Sequence, residues 1–147
     1  MDFIFRKMKE SDWQGIYDVE LSAFGGGFSK YFVKMAPIFF GINSFVVEYQ
    51  TKIVGYSLGV IPNGQLEEGW IMSAGIEPKH QGKGLGKKLL NMTIDALKKN
   101  GAKRILLTVS PDNQVAKSTY EKRGFKEFTF IKDYYGEGED RIVMQLR

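Results

Sequence analysis

The sequence contains no cysteine. That excludes a disulfide framework, a thiolate metal site and any cysteine-linked covalent intermediate. It contains one histidine, His80. A multi-histidine metal site is thereby excluded, and a Ser-His-Asp triad would depend on that one residue. No bound metal is expected. No apolar run reaches the roughly 18 residues a membrane span needs. The N-terminal stretch Met1–Lys7 lacks the apolar core of a signal peptide. A cytoplasmic protein without membrane attachment is the expectation. No linker, repeat or low-complexity segment interrupts the chain, so 147 residues read as one domain over 1–147. Hydrophobic residues at 43% and charged residues at 26% suit a globular fold and argue against disorder.

Charge is distributed unevenly. Residues 1–75 carry 6 Lys/Arg against 8 Asp/Glu, and residues 76–147 carry 15 against 9. Within 79–126 the balance is 12 against 3. A solvated basic face, a nucleic-acid surface and a site for a phosphorylated small molecule are all compatible with that stretch.

Apolar periodicity gives the element order. Residues 3–8 read as a strand. Ser11-x-x-Gln14 has the form of a capping box opening a helix to about Phe24, which Gly25-Gly26-Gly27 must end. An aromatic-rich helix covers about 29–40, with Trp13, Phe32, Phe39, Phe40 and the methionines expected in the core. Residues 44–49 and 53–61 form a hairpin across Gln50-Thr51-Lys52, and Pro62-Asn63-Gly64 turns into a strand over 66–76. The clearest helix spans 84–100, with Leu85, Leu89, Met92 and Ala96 on one stripe. A strand at 104–109, a helix at 113–123 capped by Asp112 or Asn113, and strands at 125–131 and 141–146 complete the chain. Consecutive strands imply an antiparallel meander. The strand–helix–strand unit at 66–109 implies one parallel pairing. The expected class is α+β: a mixed, mostly antiparallel sheet of about seven strands with four helices.

The chemistry concentrates in Gln81-Gly82-Lys83-Gly84-Leu85-Gly86-Lys87-Lys88, where the best helix begins. A helix N-terminus leaves about four N–H groups unpaired and carries about half a positive charge. Glycines at 82, 84 and 86 remove the Cβ atoms that would hold an anion away, and Lys83, Lys87 and Lys88 add charge. The segment is built as a pyrophosphate cradle. It is not a P-loop, because Lys88 replaces the required Ser/Thr and Gln81 the first glycine. It is not a dinucleotide fingerprint either: Lys87 or Leu89 falls where the third glycine belongs.

Gln81-x-x-Gly84-x-Gly86 after a strand resembles the Q/R-x-x-G-x-G/A motif of the GCN5-related N-acetyltransferases, and the element order matches that family along essentially the whole chain. The resemblance implies acetyl-CoA as cosubstrate, held by Gln81, Gly82, Lys83, Gly84, Leu85, Gly86 and Lys87. Trp70–Ile76 resembles the family's fourth strand, which implies that Ala74, Gly75 and Ile76 pair with the pantetheine arm and face the thioester oxygen. Asn113…Tyr120-x-x-x-Gly124-Phe125 is similar to the family's N-x-x-A…Y-x-x-x-G-F. It implies that Asn113 contacts the pantetheine and that Tyr120 is catalytic near the sulfur. Glu20-x-x-x-Phe24…Phe28-Ser29 and Tyr134-Tyr135…Glu139-Asp140 resemble the loops that flank the acceptor in N-terminal protein acetyltransferases. Three glycines stand in the first loop where the family tends to have proline. By that match Glu20, Phe24, Tyr134 and Tyr135 bind the substrate.

Without cysteine, an amine must attack the thioester directly unless another nucleophile intervenes. Donors from 74–76 and a proton from Tyr120 meet two of the needs. No base is visible: Thr108 and Trp70 stand where the resembling enzymes carry one, leaving Glu20, Glu67 and Glu68 to act through water. The expected acceptor is the α-amine of a protein or peptide N-terminus, alternatively a polyamine, an amino acid or a drug-like amine. A non-catalytic acyl-CoA-binding module is a further alternative. The basic stretch is assigned to CoA phosphates, so nucleic acid is not an expected partner. A monomer or homodimer is expected, with His80 a loop residue outside catalysis.

Overall fold

A computed structural model describes residues 2–147. Strand β1 (Phe3–Lys7) leads through a short 3-10 turn into α1 (Trp13–Phe24), and α2 (Lys30–Phe40) follows. Next come β2 (Phe45–Tyr49), β3 (Lys52–Val60), β4 (Glu68–Ile76) and α3 (Leu85–Lys99). Then β5 (Arg104–Val109), α4 (Gln114–Arg123), β6 (Lys126–Ile131) and β7 (Arg141–Leu146) end the chain. The described residues thus form four helices and one seven-stranded sheet of order β1-β2-β3-β4-β5-β7-β6. Only β4 and β5 pair in parallel, joined by α3 as the crossover that a parallel pair requires. None of these helices is long and apolar enough to cross a membrane.

The start of α1 differs from the expected capping box at Ser11 and Gln14. Asp12 does the work instead: its Oδ2 accepts from the Lys9 N–H at 2.7 Å, and both its oxygens accept from Arg6 at 2.8 Å. Burial pushes the Asp12 carboxyl up, but these donors outweigh it and hold the group below its ordinary range. At the other end Gly25 adopts the left-handed conformation (φ 72°) and stops α1 as expected. Strand β4, expected from 66, begins at Glu68, two residues late, because Pro62–Glu68 closes two successive turns through Gln65 N–H to Pro62 O and Glu68 N–H to Gln65 O.

Helices cover both faces. On one, α1 and α2 bury Ile16, Val19, Val33 and Ala36 against Val46, Tyr56 and Leu58. On the other, α3 buries Leu85 and Leu89 against Phe45, Val47 and Val54, while Leu90, Ile94 and Leu97 pack on β5 and β7. Strand β3 is therefore buried from Ile53 to Gly59, the continuous run of a strand covered on both sides. The aromatic content of α2 is less buried than expected. Phe39 is 65% exposed, with Tyr31, Met35 and Ile38 exposed beside it, so only Val33, Ala36 and Pro37 are fully buried on that helix.

Two irregularities place the site. Strand β4 pairs with β5 only over Glu68–Trp70 and Arg104–Leu106. Beyond Trp70, β4 continues beside β3 while β5 continues beside β7, and the sheet splits. Between Leu58 and Gly59 the register on β4 jumps from Ser73 to Ile71, leaving Met72 as an extra residue. Such a bulge bends a strand and re-aims its side chains, here beside the split.

Candidate active site

A cleft of about 590 Å³ lies beside the split, walled by β4, the start of α3 and α4. The β4 end supplies Ala74, Gly75 and Ile76 to its wall, and past Trp70 no strand among the described residues bonds that edge of β4. Gln81, Gly82, Gly84, Leu85, Gly86 and Lys87 line the cleft at the start of α3. Gly82 and Gly84 both have φ 80°, a left-handed conformation that other residues adopt only with strain. A Cβ at either would meet nothing within 4 Å, so backbone conformation, not crowding, calls for glycine. Gly84 is the N-cap of α3 and offers no side-chain cap, so the first-turn N–H groups look into the cleft without a protein acceptor of that kind. Gln81 Nε2 donates to Ile76 O at 3.1 Å and ties this turn to β4. The donor set fits a diphosphate: backbone N–H groups, a helix dipole and the ammonium of Lys87.

Two of the expected cations point elsewhere. Lys83 is not in the cleft wall; its Nζ stands 3.4 Å from His80 Nδ1 and 5.7 Å from the Phe3 ring. Lys88 lies 4.2 Å over the Phe5 ring. His80 is not an open loop residue but ends a 3-10 turn (Pro78–His80), 6% exposed, with its ring 5.7 Å from Phe3 and 5.2 Å from Tyr49. Burial, then the nearby Lys83 charge, lowers its pKa.

The far wall comes from α4. Asn113 lines the cleft and also caps the helix, its Oδ1 accepting from Ala116 N–H at 3.1 Å. Tyr120 lines the cleft one face along and packs on Phe125 at 5.9 Å. Burial raises the Tyr120 phenol above its ordinary pKa, so it holds its proton at neutral pH. Trp70 Nε1 donates to Glu68 Oε1 at 2.7 Å, and Thr108 sits on β5 opposite Val143. Neither is a base, as the sequence indicated. Glu67 and Glu68 are committed to Lys103 and Arg104, each at 2.8 Å, and border a separate depression of about 510 Å³ that shares no residue with the cleft.

On the α1 side Phe24 joins the cleft wall, and a Cβ on Gly75 would stand 3.1 Å from its ring. Glu20 does not line the cleft and is 2% exposed. Its Oε1 accepts from Phe28 N–H at 3.2 Å and its Oε2 from the Tyr56 hydroxyl at 2.8 Å. That hydroxyl also lies 2.9 Å from Ser73 Oγ. Tyr56 is in the cleft wall. Sequence reasoning missed both Tyr56 and Ser73. The one available signal was a phenol in the middle of a mostly apolar strand, since a buried hydroxyl must find a partner.

Tyr134 and Tyr135 are outside the cleft, on the loop joining β6 to β7, with ring centroids 4.8 Å apart. Two of that loop's four acids hold its shape: Asp140 accepts from Asp133 N–H, and Asp133 from Gly138 N–H. The Arg141 guanidinium sits 5.0 Å over Tyr135, a cation the acidic composition of 133–140 had hidden. Among the described residues no group of three or more His, Asp or Glu could hold a metal.

The model of the acetyltransferase (GNAT) family matches residues 13–125. Over 84 residues the chain is 38% identical to the [ribosomal protein bS18]-alanine N-acetyltransferase of Escherichia coli K12, covering 55% of this chain and 57% of that protein. Over 113 residues it is 31% identical to N-alpha-acetyltransferase 30 of Schizosaccharomyces pombe, covering 76% of this chain and 73% of that one. The crystal structure of the ribosomal-protein-S18-alanine N-acetyltransferase from Escherichia coli superposes with a TM-score of 0.85. That superposition has 26% identity and covers 99% of this chain and 93% of that one.

Proposed function

The chain belongs to the acetyltransferase (GNAT) family, and from that premise we propose that it transfers acetyl from acetyl-CoA directly to a primary amine, the α-amine of a protein or peptide N-terminus. One observation carries the reading: the N-terminus of α3, without a side-chain cap and opened by Gly82 and Gly84, faces a cleft that runs between β4 and α4 to Tyr120. The N–H groups of 84–87 with Lys87 hold the diphosphate. The free edge of β4 at Ala74–Ile76, with Asn113 opposite, receives the pantetheine.

Direct transfer follows from the chain's composition, which offers no thiol to carry the acetyl group. The amine nitrogen bonds to the thioester carbon while β4 N–H groups donate to the developing oxyanion. The carbon–sulfur bond breaks, and Tyr120, protonated at neutral pH, gives its proton to the leaving sulfur. Acceptor basicity favours an N-terminus. An α-amine has a pKa near ~8 and a lysine amine ~10.4, so freeing lysine at neutral pH costs about 3 kcal/mol more. Relatives named for N-terminal or terminal-alanine acetylation support the same acceptor class.

The test supplies acetyl-CoA with a peptide bearing a free N-terminus, the same peptide N-terminally blocked but carrying lysine, and a polyamine. CoA release and the position of the acetyl group by mass spectrometry are read. Release with the free N-terminus alone is expected. Acetylation confined to the polyamine reassigns the acceptor, and acetyl-CoA binding with no release from any amine makes the protein a binding module.

A further inference from the structure

The one imidazole in the cleft wall, His80, stands at the cradle beside Lys83, and Glu20, Tyr56 and Ser73 offer a base on the α1 side. Both oxygens of Glu20 meet donors, the Phe28 N–H at 3.2 Å and the Tyr56 O–H at 2.8 Å, which is the arrangement of an ionised carboxylate. An ionised carboxylate only accepts, so the single phenolic proton of Tyr56 is spent on Glu20. The 2.9 Å contact between Tyr56 and Ser73 then has one possible polarity: Ser73 donates and Tyr56 accepts. With its proton committed, Ser73 has only lone pairs left to offer. Ser73 is half-buried, beside the Met72 bulge and next to Ala74 in the cleft wall. Ser73 does not itself line the cleft, but Tyr56 does, and every hydrogen bond points from the half-buried Ser73 through that cleft-wall phenol to a buried carboxylate.

We propose that Ser73, Tyr56 and Glu20 form the proton relay that deprotonates the acceptor amine, with Ser73 Oγ accepting from the ammonium and Glu20 as the final base. This rests on the acetyl-transfer reading above. As the ammonium N–H proton moves to Ser73, the Ser73 proton moves to Tyr56 and the Tyr56 proton to Glu20. The neutral amine then bonds to the thioester carbon. The nitrogen's second proton leaves as the carbon–sulfur bond breaks, replacing the one given to sulfur, and the first returns from Glu20 through Tyr56 and Ser73 once product has left. Tyr56 passes its proton on in concert and need not ionise. The charged groups on elements packed against Glu20 do not pre-empt it. Lys34 of α2 pairs with Glu10 at 3.7 Å, Lys30 lies over Tyr31 at 5.5 Å, Lys52 of β3 pairs with Glu77 at 3.4 Å and Glu68 of β4 with Arg104. Asp18 on α1 accepts from Gln14.

The experiment is the pH dependence of kcat/KM for a free-N-terminus peptide, in wild type, Ser73→Ala, Ser73→Thr and Tyr56→Phe. With the relay, wild type uses the ammonium form and its rate is level with pH below the amine's own pKa. Without it only free amine reacts, so the Ser73→Ala rate rises about tenfold per pH unit up to ~8. At pH 7 the loss expected is on the order of 10²-fold, the scale of a positioned base. Ser73→Thr keeps the hydroxyl and restores both rate and profile; Tyr56→Phe behaves as Ser73→Ala. A purely structural chain would lower rates without changing the shape of the profile. If Ser73→Ala and Tyr56→Phe keep the wild-type profile, the relay is wrong while the acetyl-transfer reading stands. If wild type turns over no amine, both fall.

Discussion

The two halves of the candidate site, the cleft and the buried chain behind its wall, are built on different principles. The half formed by β4, the 77–84 turn and α3 works through backbone: left-handed glycines, a bare helix start and an unpaired strand edge, all within 74–87. The half formed by α1, β3 and the β4 bulge works through side chains brought together across the fold, Glu20 to Tyr56 to Ser73. Backbone sites tolerate changes of side chain and fail on changes of conformation. Side-chain relays do the reverse. The two halves should therefore respond to mutation with different readouts, cofactor affinity on one side and rate on the other.

The largest separation is expected from Gly84→Glu. It forces an L-residue to φ 80° and sets a carboxylate at an anion site. A strained conformation alone costs roughly 1–3 kcal/mol, and the charge adds to it. Calorimetry should show acetyl-CoA affinity falling on the order of 10²-fold or more, the product of those two costs. Ser73→Ala, measured alongside, should bind acetyl-CoA as wild type does. Equal losses in the two variants would erase the distinction between the halves.

Tyr120→Phe comes next and tests whether α4 belongs with the rate. It removes the proton donor to sulfur but keeps the ring packed on Phe125. Turnover should drop roughly 10²-fold, within the usual range for a general acid, with acetyl-CoA affinity nearly unchanged. A variant that binds acetyl-CoA much more weakly at full turnover would move Tyr120 to the binding side.

The same contrast explains what could be read from the sequence. The glycine cradle, the cap at Asn113 and the Tyr120–Gly124–Phe125 register are local, so spacing reveals them. The element order and the one parallel pairing followed from periodicity and the crossover rule, and the structure kept them; the place of β7 between β5 and β6 was not read. Glu20 was legible as a residue but not as a buried one, because its partners Tyr56 and Ser73 lie 36 and 53 positions away and meet it only once the sheet forms. Lysine direction was equally illegible. Lys83 and Lys88 belong to the cradle by spacing, yet phenylalanines on β1, over 75 residues earlier in the chain, draw both away. The exposed Phe39 failed for a third reason: periodicity counts apolar residues on α2 without saying that the sheet reaches only one side of it.

Gly75→Ala probes the seam. Its Cβ would stand 3.1 Å from both the Phe24 ring and the Tyr56 ring. Phe24 is 54% exposed and can yield, whereas Tyr56 is 1% exposed and cannot. Phe24 should swing outward, with a stability loss at the low end of the ~1–3 kcal/mol of overpacking. Chemical denaturation checks the loss, and KM for the peptide should rise while acetyl-CoA affinity changes little. A change confined to acetyl-CoA affinity would place Phe24 and Gly75 wholly on the cofactor side.

The smallest effect concerns pH, and it separates the halves by stability instead of rate. His80 is buried against Phe3 and Tyr49 at the edge of the cradle, and burial followed by the Lys83 charge holds its pKa below the ordinary value. The unfolded chain therefore takes up the proton first, near pH ~6.5. Folding stability from this group is complete above that pH and is lost as pH falls from there through the lower folded pKa. Wild type should lose thermal stability between pH 7 and pH 5.5 more steeply than His80→Gln, which has no proton to take up. CoA phosphates bound beside the cradle favour the charged ring, so saturating CoA should flatten the wild-type slope. Ser73→Ala should leave that slope untouched, since Ser73 makes none of the His80 contacts. Parallel slopes for wild type and His80→Gln would show that acid sensitivity in this range arises outside the cradle.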